Sequence, residues 1–192
     1  HPVRDRLRDG PSESRVRTIG GVAERQGIEA DAGGGMVDDG LLGRATTDLD
    51  FVTGGPESGI ALAEAVGEAL GGRTAHVYPK FGTAAIRIPA ADALPDDHPD
   101  DALVLEFVAA RKESYRSDSR KPEVEAGTLE DDQYRRDFTV NAMAIHLTPA
   151  RFGTLIDPFD GRRDLERETI DTPLDPADTF EDDPLRMIRA AR

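Results

Sequence analysis

Apolar residues recur with two different periods along the chain and predict a mixture of helices and strands. The spacing of Val16, Ile19 and Val22 is helical and predicts a first helix from about residue 15 to 26. Alternating or continuously apolar segments predict strands over 48–52, 74–78, 84–88, 103–109 and 153–156. Helical patterns predict further helices over 56–70, over 132–147 and from about 179. Because the strands follow one another as hairpin-like neighbours, the predicted fold class is α+β, with a mixed, mostly antiparallel sheet flanked by helices.

Other segments fit neither period. Residues 1–14 are polar and predict a flexible lead-in, and the acidic, proline-bearing stretch 92–101 predicts a loop. A first strand would belong within 28–35, but the Asp-Ala-Gly sequence at 31–33 is poor strand material and leaves that strand in doubt. Residues 112–131 are polar and lack periodicity, which predicts a long, mobile loop.

Length and composition limit the kind of protein. The 192 residues suffice for one domain with a buried core, or for one domain and the start of another. Cysteine is absent, which excludes disulfides and thiolate metal sites and favours a hard cation such as Mg²⁺ on oxygen ligands. No apolar run approaches the roughly 18 residues of a membrane span, so a cytoplasmic protein without membrane contact is expected. Because the chain begins without methionine and stops on a charged, helix-forming run, we expect a piece of a longer protein.

The charge balance is strongly acidic. A net charge of −14 and a pI near 4.7 are unfavourable for a surface that grips nucleic acid by itself. The basic residues are nearly all arginine, with lysine only at 80, 112 and 121. A high-GC genome or a high-salt cytoplasm explains this composition better than a functional acidic patch does.

Two aspartates are the first candidates for chemistry. Asp48 and Asp50 lie two residues apart on a predicted strand, which places both carboxylates on one face. Their repulsion is relieved by a cation, and a Mg²⁺ pair there would activate a hydroxyl and brace a leaving pyrophosphate. The alternative is an exposed strand face with two solvated aspartates.

Two further features could complete such a site. Glycines 33–35 precede the aspartates and permit the close approach with which backbone N–H groups cradle phosphate oxygens, although an ordinary flexible turn is the alternative. Glu106 is the one charged residue within the apolar run 103–108 and is the candidate third carboxylate, the alternative being an edge-strand glutamate that faces solvent. The four histidines are scattered and none is expected to be a ligand or a base: His1, His76, His98 and His146.

Four segments follow one another in the order in which a known family carries its signatures. They are residues 34–37 with 41–44 and 48–52, residues 135–142, residues 157–161 with 164–165, and residues 182–186 with Arg189 and Arg192. Together they resemble the class II tRNA nucleotidyltransferases, or CCA-adding enzymes, and the bacterial poly(A) polymerases. The resemblance covers roughly residues 16–192 and implies a polymerase-β-like head over 15–172 and the start of a helical, nucleotide-selecting neck over 173–192.

The resemblance also implies roles for single residues. Gly34 and Gly35 would contact the triphosphate, Asp48 and Asp50 would bind Mg²⁺, and Arg136 would neutralise phosphate charge. The implied nucleotide-selecting residues are Asp183, Arg186, Arg189 and Arg192. Asp183 and Arg186 would present an acceptor and a donor to the Watson–Crick edge of the incoming base. The implied partners are ATP, CTP and the 3′ end of tRNA, which relatives grip largely through helical domains after the head.

Helical geometry adds two expectations. A helix over 132–147 would place Arg136 and Val140 one turn apart, so that one side of the helix is buried while one arginine points at the site. If 183–192 form one helix, each step of three residues turns back by about 60°, so Asp183 and Arg192 cannot share a face.

The chain departs from the family at two charged positions. Relatives carry arginine where this chain has Asp38, beside the expected triphosphate, and also where it has Asp171. A carboxylate facing phosphates opposes binding unless it turns away or a metal bridges it. We therefore expect weak nucleotide affinity and expect Asp38→Arg to strengthen it. Calorimetry with Mg-CTP checks this prediction, and equal affinities of wild type and variant would contradict it.

Three functions are compatible with these signatures. The first is CCA addition to tRNA, and the second is poly(A) addition, which shares the head signatures. The third is a nucleotide-binding module with impaired catalysis, which Asp38 and the doubtful first strand suggest.

Overall fold

A computed structural model describes residues 11–37, 48–93, 102–116 and 119–191. Its helices are α1 (Pro11–Gln26), α2 (Ser58–Ala69), α3 (Ala90–Ala93), α4 (Leu129–Tyr134), α5 (Gly161–Glu166), α6 (Pro176–Asp182) and α7 (Leu185–Ala190). Its strands are β1 (Ala30–Gly33), β2 (Asp48–Thr53), β3 (His76–Tyr78), β4 (Thr83–Pro89), β5 (Ala102–Ala109), β6 (Arg111–Arg116), β7 (Ser119–Ala126), β8 (Ala144–His146) and β9 (Leu155–Ile156). Among these helices none has the length and apolar character needed to cross a bilayer.

The core lies on one face of a seven-stranded sheet. Its strand order is β3-β4-β5-β2-β1-β8-β9, with β2 and β5 parallel and the other described pairs antiparallel, which confirms the predicted α+β class. Helices α1 and α2 pack against the face that carries the buried residues Leu49, Phe51, Leu105 and Phe107. The rings of Phe51 and Phe107 stack with centroids 5.1 Å apart. Strand alternation leaves the opposite face of β2 and β5 for polar side chains.

Helix α1 confirms the first predicted helix and begins at Pro11, a few residues earlier than expected. Its apolar stripe is buried, and Gly27 ends it with a φ of 66°. Gly20 lies against the sheet so closely that a Cβ there would come within 2.0 Å of the carbonyl oxygen of Leu147. The missing side chain of Gly20 therefore lets α1 pack closely against the backbone of Leu147.

The doubtful first strand is present as β1, which pairs with β2 on one side and with β8 on the other. Asp31, which made it doubtful, is buried, and its Oδ1 lies 3.0 Å from Nδ1 of His146 across the sheet. Burial raises the pKa of Asp31, and the charge of His146 and its hydrogen bond partly oppose that rise. Pairing with a distant partner overrides the low strand propensity of this segment.

The prediction of a long loop over 112–131 is wrong. This segment contains the β6–β7 hairpin, in which Arg111 pairs with Ala126, and then helix α4. A two-stranded ribbon outside the main sheet is held by backbone hydrogen bonds and needs no alternation of apolar residues. Thr128 starts α4 with a capping box, accepting from the backbone N–H of Asp131 at 3.1 Å while the Asp131 carboxylate accepts from the backbone N–H of Thr128 at 2.8 Å.

The single helix predicted over 132–147 is also wrong. Helix α4 ends at Tyr134, a 3₁₀ turn spans Val140–Ala142, and β8 begins at Ala144. The carboxylate of Asp137 accepts from the backbone N–H of Phe138 at 3.0 Å and from Nδ2 of Asn141 at 2.9 Å. These local bonds compete with helical ones and turn the chain away from the helix axis.

The C-terminal segment is two helices instead of one. Asp183 lies between α6 and α7 in an extended conformation, and its Oδ1 accepts from the backbone N–H of Leu185 at 3.0 Å. Pro184, which follows Asp183, disfavours a helical conformation there. The expected 60° steps therefore do not apply from Asp183, and Arg192 lies outside the described residues.

Candidate active site

Three carboxylates lie on the open face of the sheet. Asp48 and Asp50 project from β2, and Glu106 of β5 is the direct parallel-strand partner of Asp50. Asp48 and Glu106 are exposed, and Asp50 is half-buried. Because β5 lies between β4 and β2, Glu106 is on an interior strand, so the edge-strand alternative does not apply.

The carboxylates repel one another. Burial raises the pKa of Asp50. The charge of Arg136 partly opposes that rise, and the charge of Asp48 adds to it. Burial raises the pKa of Glu106 as well, and both aspartates add to that rise. Such a cluster favours the binding of a cation or a proton.

The described residues contain no group of three or more histidine, cysteine, aspartate or glutamate side chains arranged to hold a metal ion. Mg²⁺ is commonly held by only one or two carboxylates, with water and substrate phosphates completing the shell. The chemistry of the Asp48–Asp50 pair fits that kind of site, in which Glu106 contributes negative potential from the next strand.

A glycine turn lies against Asp50. Gly33 is the strand partner of Asp50, and Gly34 follows with a φ of 62°, which favours glycine. A Cβ on Gly34 would lie 3.0 Å from Oδ2 of Asp50. Residues 35–37 are helical, and the buried side chains of Met36 and Val37 anchor them. Gly35 is exposed at the start of this helical turn, while Asp38 and 41–44 lie outside the described residues.

We expect Gly34→Ala to weaken binding of MgATP roughly tenfold, because the methyl group would displace the Asp50 carboxylate, a candidate metal ligand. The backbone strain of alanine at positive φ should also lower the free energy of unfolding by about 1–2 kcal/mol. Gly27→Ala is the matched control, since Gly27 has a φ of 66° and nothing within 4 Å of the added Cβ. Calorimetry and thermal unfolding of both variants check the prediction, and equal nucleotide affinities would contradict it.

Arg136 lies on the same side of the sheet as the carboxylates. It lines a cavity of about 20 Å³ together with Gly34, Asp31 and Asp132. Its Nη2 donates to Oδ2 of Asp132 at 2.7 Å. Arg136 thus leaves the end of α4 towards Asp50 and the glycine turn, from a non-helical position rather than from the helix face that the sequence predicted.

Asp132 is the residue that sequence reasoning missed. It is buried and accepts hydrogen bonds from both Arg135 and Arg136. The available signal was its spacing, because a carboxylate three and four residues before two arginines can reach both across one helical turn.

One of the nucleotide-selecting residues inferred from the resemblance, Arg186, lines a second cavity. This cavity, of 240 Å³, is lined by Arg186, Asp182, Arg135, Tyr134 and Thr179 among others. Arg186 donates from Nη2 to the backbone carbonyl of Arg135 at 3.0 Å. Outside the cavity lining, Arg189 forms an ion pair with Asp137 through Nε and Oδ2, 2.8 Å apart, and Asp183 caps Leu185.

The third signature, residues 157–161 with 164–165, forms a turn that is closed by hydrogen bonds. Asp157 accepts from the backbone N–H groups of Gly161 at 2.7 Å and Arg162 at 3.0 Å, which confirms the predicted turn. A Cβ on Gly161 would come within 2.3 Å of the carbonyl oxygen of Thr139, so the turn packs against the segment after Arg136. The backbone carbonyl of Asp171 accepts from the N–H of Thr139 at 2.9 Å, while its exposed side chain caps Thr172.

Comparison with known proteins gives a consistent result. Residues 32–171 match the family described as the poly A polymerase head domain. The chain is 42% identical over 159 residues to the A-adding tRNA nucleotidyltransferase of Aquifex aeolicus, which covers 83% of this chain and 17% of that protein.

Solved structures agree. A CCA-adding enzyme of Thermotoga maritima complexed with tRNA is 31% identical with a TM-score of 0.76, over 99% of this chain and 40% of that one. A tRNA nucleotidyltransferase complexed with a primer tRNA and an incoming ATP analogue is 37% identical with a TM-score of 0.70, over 90% of this chain and 43% of that one. The chain therefore spans less than half the length of each of these three proteins. The fold of the two solved structures confirms the predicted polymerase-β-like architecture. Because the family match extends over most of its length, the chain belongs to the poly A polymerase head domain family of nucleotidyltransferases.

Proposed function

We propose that this chain is the catalytic head of an enzyme that transfers CMP and AMP from CTP and ATP to the 3′ end of tRNA, with Mg²⁺ as cofactor. The observation that carries the proposal is the pair Asp48 and Asp50 on an open sheet face, with Glu106 directly beside Asp50. Nucleotidyltransferases of this family use a divalent metal, and a chain without cysteine offers the oxygen ligands that Mg²⁺ prefers.

In this proposal Asp48 and Asp50 hold the metal. The cation would lower the pKa of the attacking RNA hydroxyl and neutralise the leaving pyrophosphate. Glu106 strengthens the negative potential that draws the cation, the turn at Gly34 and Gly35 lets the triphosphate approach the carboxylates, and a guanidinium at Arg136 offsets phosphate charge.

Base selection is assigned to the segment around the second cavity. Arg186 lines the cavity, and Asp183 and Arg189 lie in the segment that borders it. A guanidinium donates to ring acceptors and a carboxylate accepts from an exocyclic amine, so the two groups discriminate bases without a template. The assignment of Arg192 to this set stays a prediction.

The acidic charge shapes the expected partners. A net charge of −14 disfavours strong electrostatic binding of RNA, so the chain alone should bind tRNA weakly, with the 3′ end of tRNA as its proposed substrate. A cytoplasmic location fits that substrate.

Incorporation of labelled nucleotides distinguishes the alternatives. The chain is incubated with Mg²⁺, labelled ATP and a tRNA primer ending in C-C, and in parallel with labelled CTP and a primer lacking C-C. Addition of C and of a single terminal A supports the proposal, whereas long A tails identify a poly(A) polymerase. If nothing is incorporated at primer concentrations that saturate the expected weak tRNA binding, and ATP still binds, the chain is the impaired module that Asp38 suggests.

A further inference from the structure

A single buried carboxylate organises two arginines beside the proposed nucleotide site. Asp132, at the middle of α4, is 2% exposed. Its Oδ1 accepts from Nε and Nη2 of Arg135, the former at 2.8 Å. Its Oδ2 accepts from Nε and Nη2 of Arg136, at 3.2 and 2.7 Å. Each oxygen thus holds one guanidinium, and the three groups carry one net positive charge.

The two arginines lead in different directions. Arg136 is near enough to Asp50 for its charge to oppose the rise in the pKa of that carboxyl that burial causes. It also lines the same cavity as Gly34. The backbone carbonyl of Arg135 accepts a hydrogen bond from Arg186. The main chain of Arg135 thus contacts the C-terminal segment. Burial lowers the pKa of Arg135, the charge of Asp132 opposes that shift, and repulsion by Arg136 adds to it.

We propose that Asp132 is a positioning residue: it holds Arg136 in the orientation from which Arg136 meets the triphosphate, while Arg135 locks the carboxylate in place. This inference rests on the proposed function. Without the carboxylate, the two guanidinium groups would repel each other with no shared counter-charge, and Arg136 would swing towards solvent. Arg186 would stay, because it is bound to a backbone atom.

The test uses Asp132→Asn, which is nearly isosteric but removes the charge and one acceptor oxygen. Affinity for MgATP should fall roughly tenfold, whereas affinity for adenosine, which has no phosphates, should change less than about twofold. Competition against a fluorescent ATP analogue measures both. Glu130→Gln, an exposed change of equal charge in the same helix, is the matched control and should alter neither affinity.

A second measurement distinguishes positioning from general stability. In an Arg136→Gln background, Asp132→Asn should weaken MgATP binding by less than about twofold, because the group it positions is already gone. Parallel losses for MgATP and adenosine, or full additivity with Arg136→Gln, would overturn the inference. If the asparagine variant does not fold, Asp132→Glu decides, because it keeps the charge but moves the carboxylate by one methylene. A selective loss of MgATP affinity then supports the inference, and an unchanged preference for MgATP over adenosine overturns it. Absence of MgATP binding by the wild-type chain would overturn the proposed function itself.

Discussion

Asp50→Asn is expected to abolish nucleotidyl transfer while leaving the fold intact. The substitution removes the charge of a proposed metal ligand beside the glycine turn, and metal stabilisation of the developing charge accounts for several kcal/mol of the barrier. The rate should therefore fall about 1,000-fold. Steady-state incorporation into a tRNA primer at saturating Mg²⁺ measures the loss.

The same substitution should not destabilise the metal-free protein. Burial and the charge of Asp48 both raise the pKa of Asp50, so its ionised form is disfavoured in the fold. In EDTA the melting temperature of the variant should be equal to or above that of the wild type. Glu64→Gln, on the exposed side of α2 and across the sheet, is the control and should keep full activity. A variant that retained more than about a tenth of the wild-type rate would exclude Asp50 as a metal ligand.

The acidic face was predictable because it depends on strand alternation alone. Two aspartates at i and i+2 point the same way on any strand, and a glutamate inside an apolar run marks the corresponding face of another strand. The sequence could not show that Asp50 and Glu106 are direct neighbours, since that register depends on a parallel pairing across more than fifty residues.

The first strand could not be predicted from its own residues because it is held by pairing with β2 and β8, which are distant in the chain. Asp31 is a poor strand former, yet it lies between two strands and meets His146, 115 residues later in the chain. Local propensity does not include such a partner. The hypothesis of a module with impaired catalysis was based on Asp38 and on the doubtful first strand. Because the strand is present, the hypothesis now depends on Asp38 alone.

The segment 128–142 was mispredicted because polar side chains determine its structure. The capping box at Thr128 starts a helix where hydrophobic periodicity is weak. The Asp137 carboxylate turns the chain after this helix by accepting from the backbone N–H of Phe138. Asp132 then binds two arginines that would otherwise appear as a solvated pair. Side-chain to backbone bonds of this kind leave little trace in a pattern of apolar residues.

The two adjacent glycines of α1 should respond to alanine in opposite directions. A Cβ on Gly20 would lie 2.0 Å from the carbonyl oxygen and 2.9 Å from the carbonyl carbon of Leu147, both rigid backbone atoms beside β8. Gly20→Ala must push the helix off the sheet, and overpacking of this kind costs about 2–3 kcal/mol of unfolding free energy. The melting temperature should fall by roughly 4–12 °C for a chain of this length.

Gly21→Ala is the matched control within the same helix. Its Cβ would meet only Nη1 of Arg25, at 3.5 Å, which is ordinary contact with a mobile side chain. Alanine restricts the unfolded chain and favours the helix, so the free energy of unfolding should rise by about 0.5–1 kcal/mol. Urea unfolding of both variants measures the difference. Equal stabilisation by the two substitutions would show that the close approach of α1 to Leu147 does not explain why glycine occupies position 20.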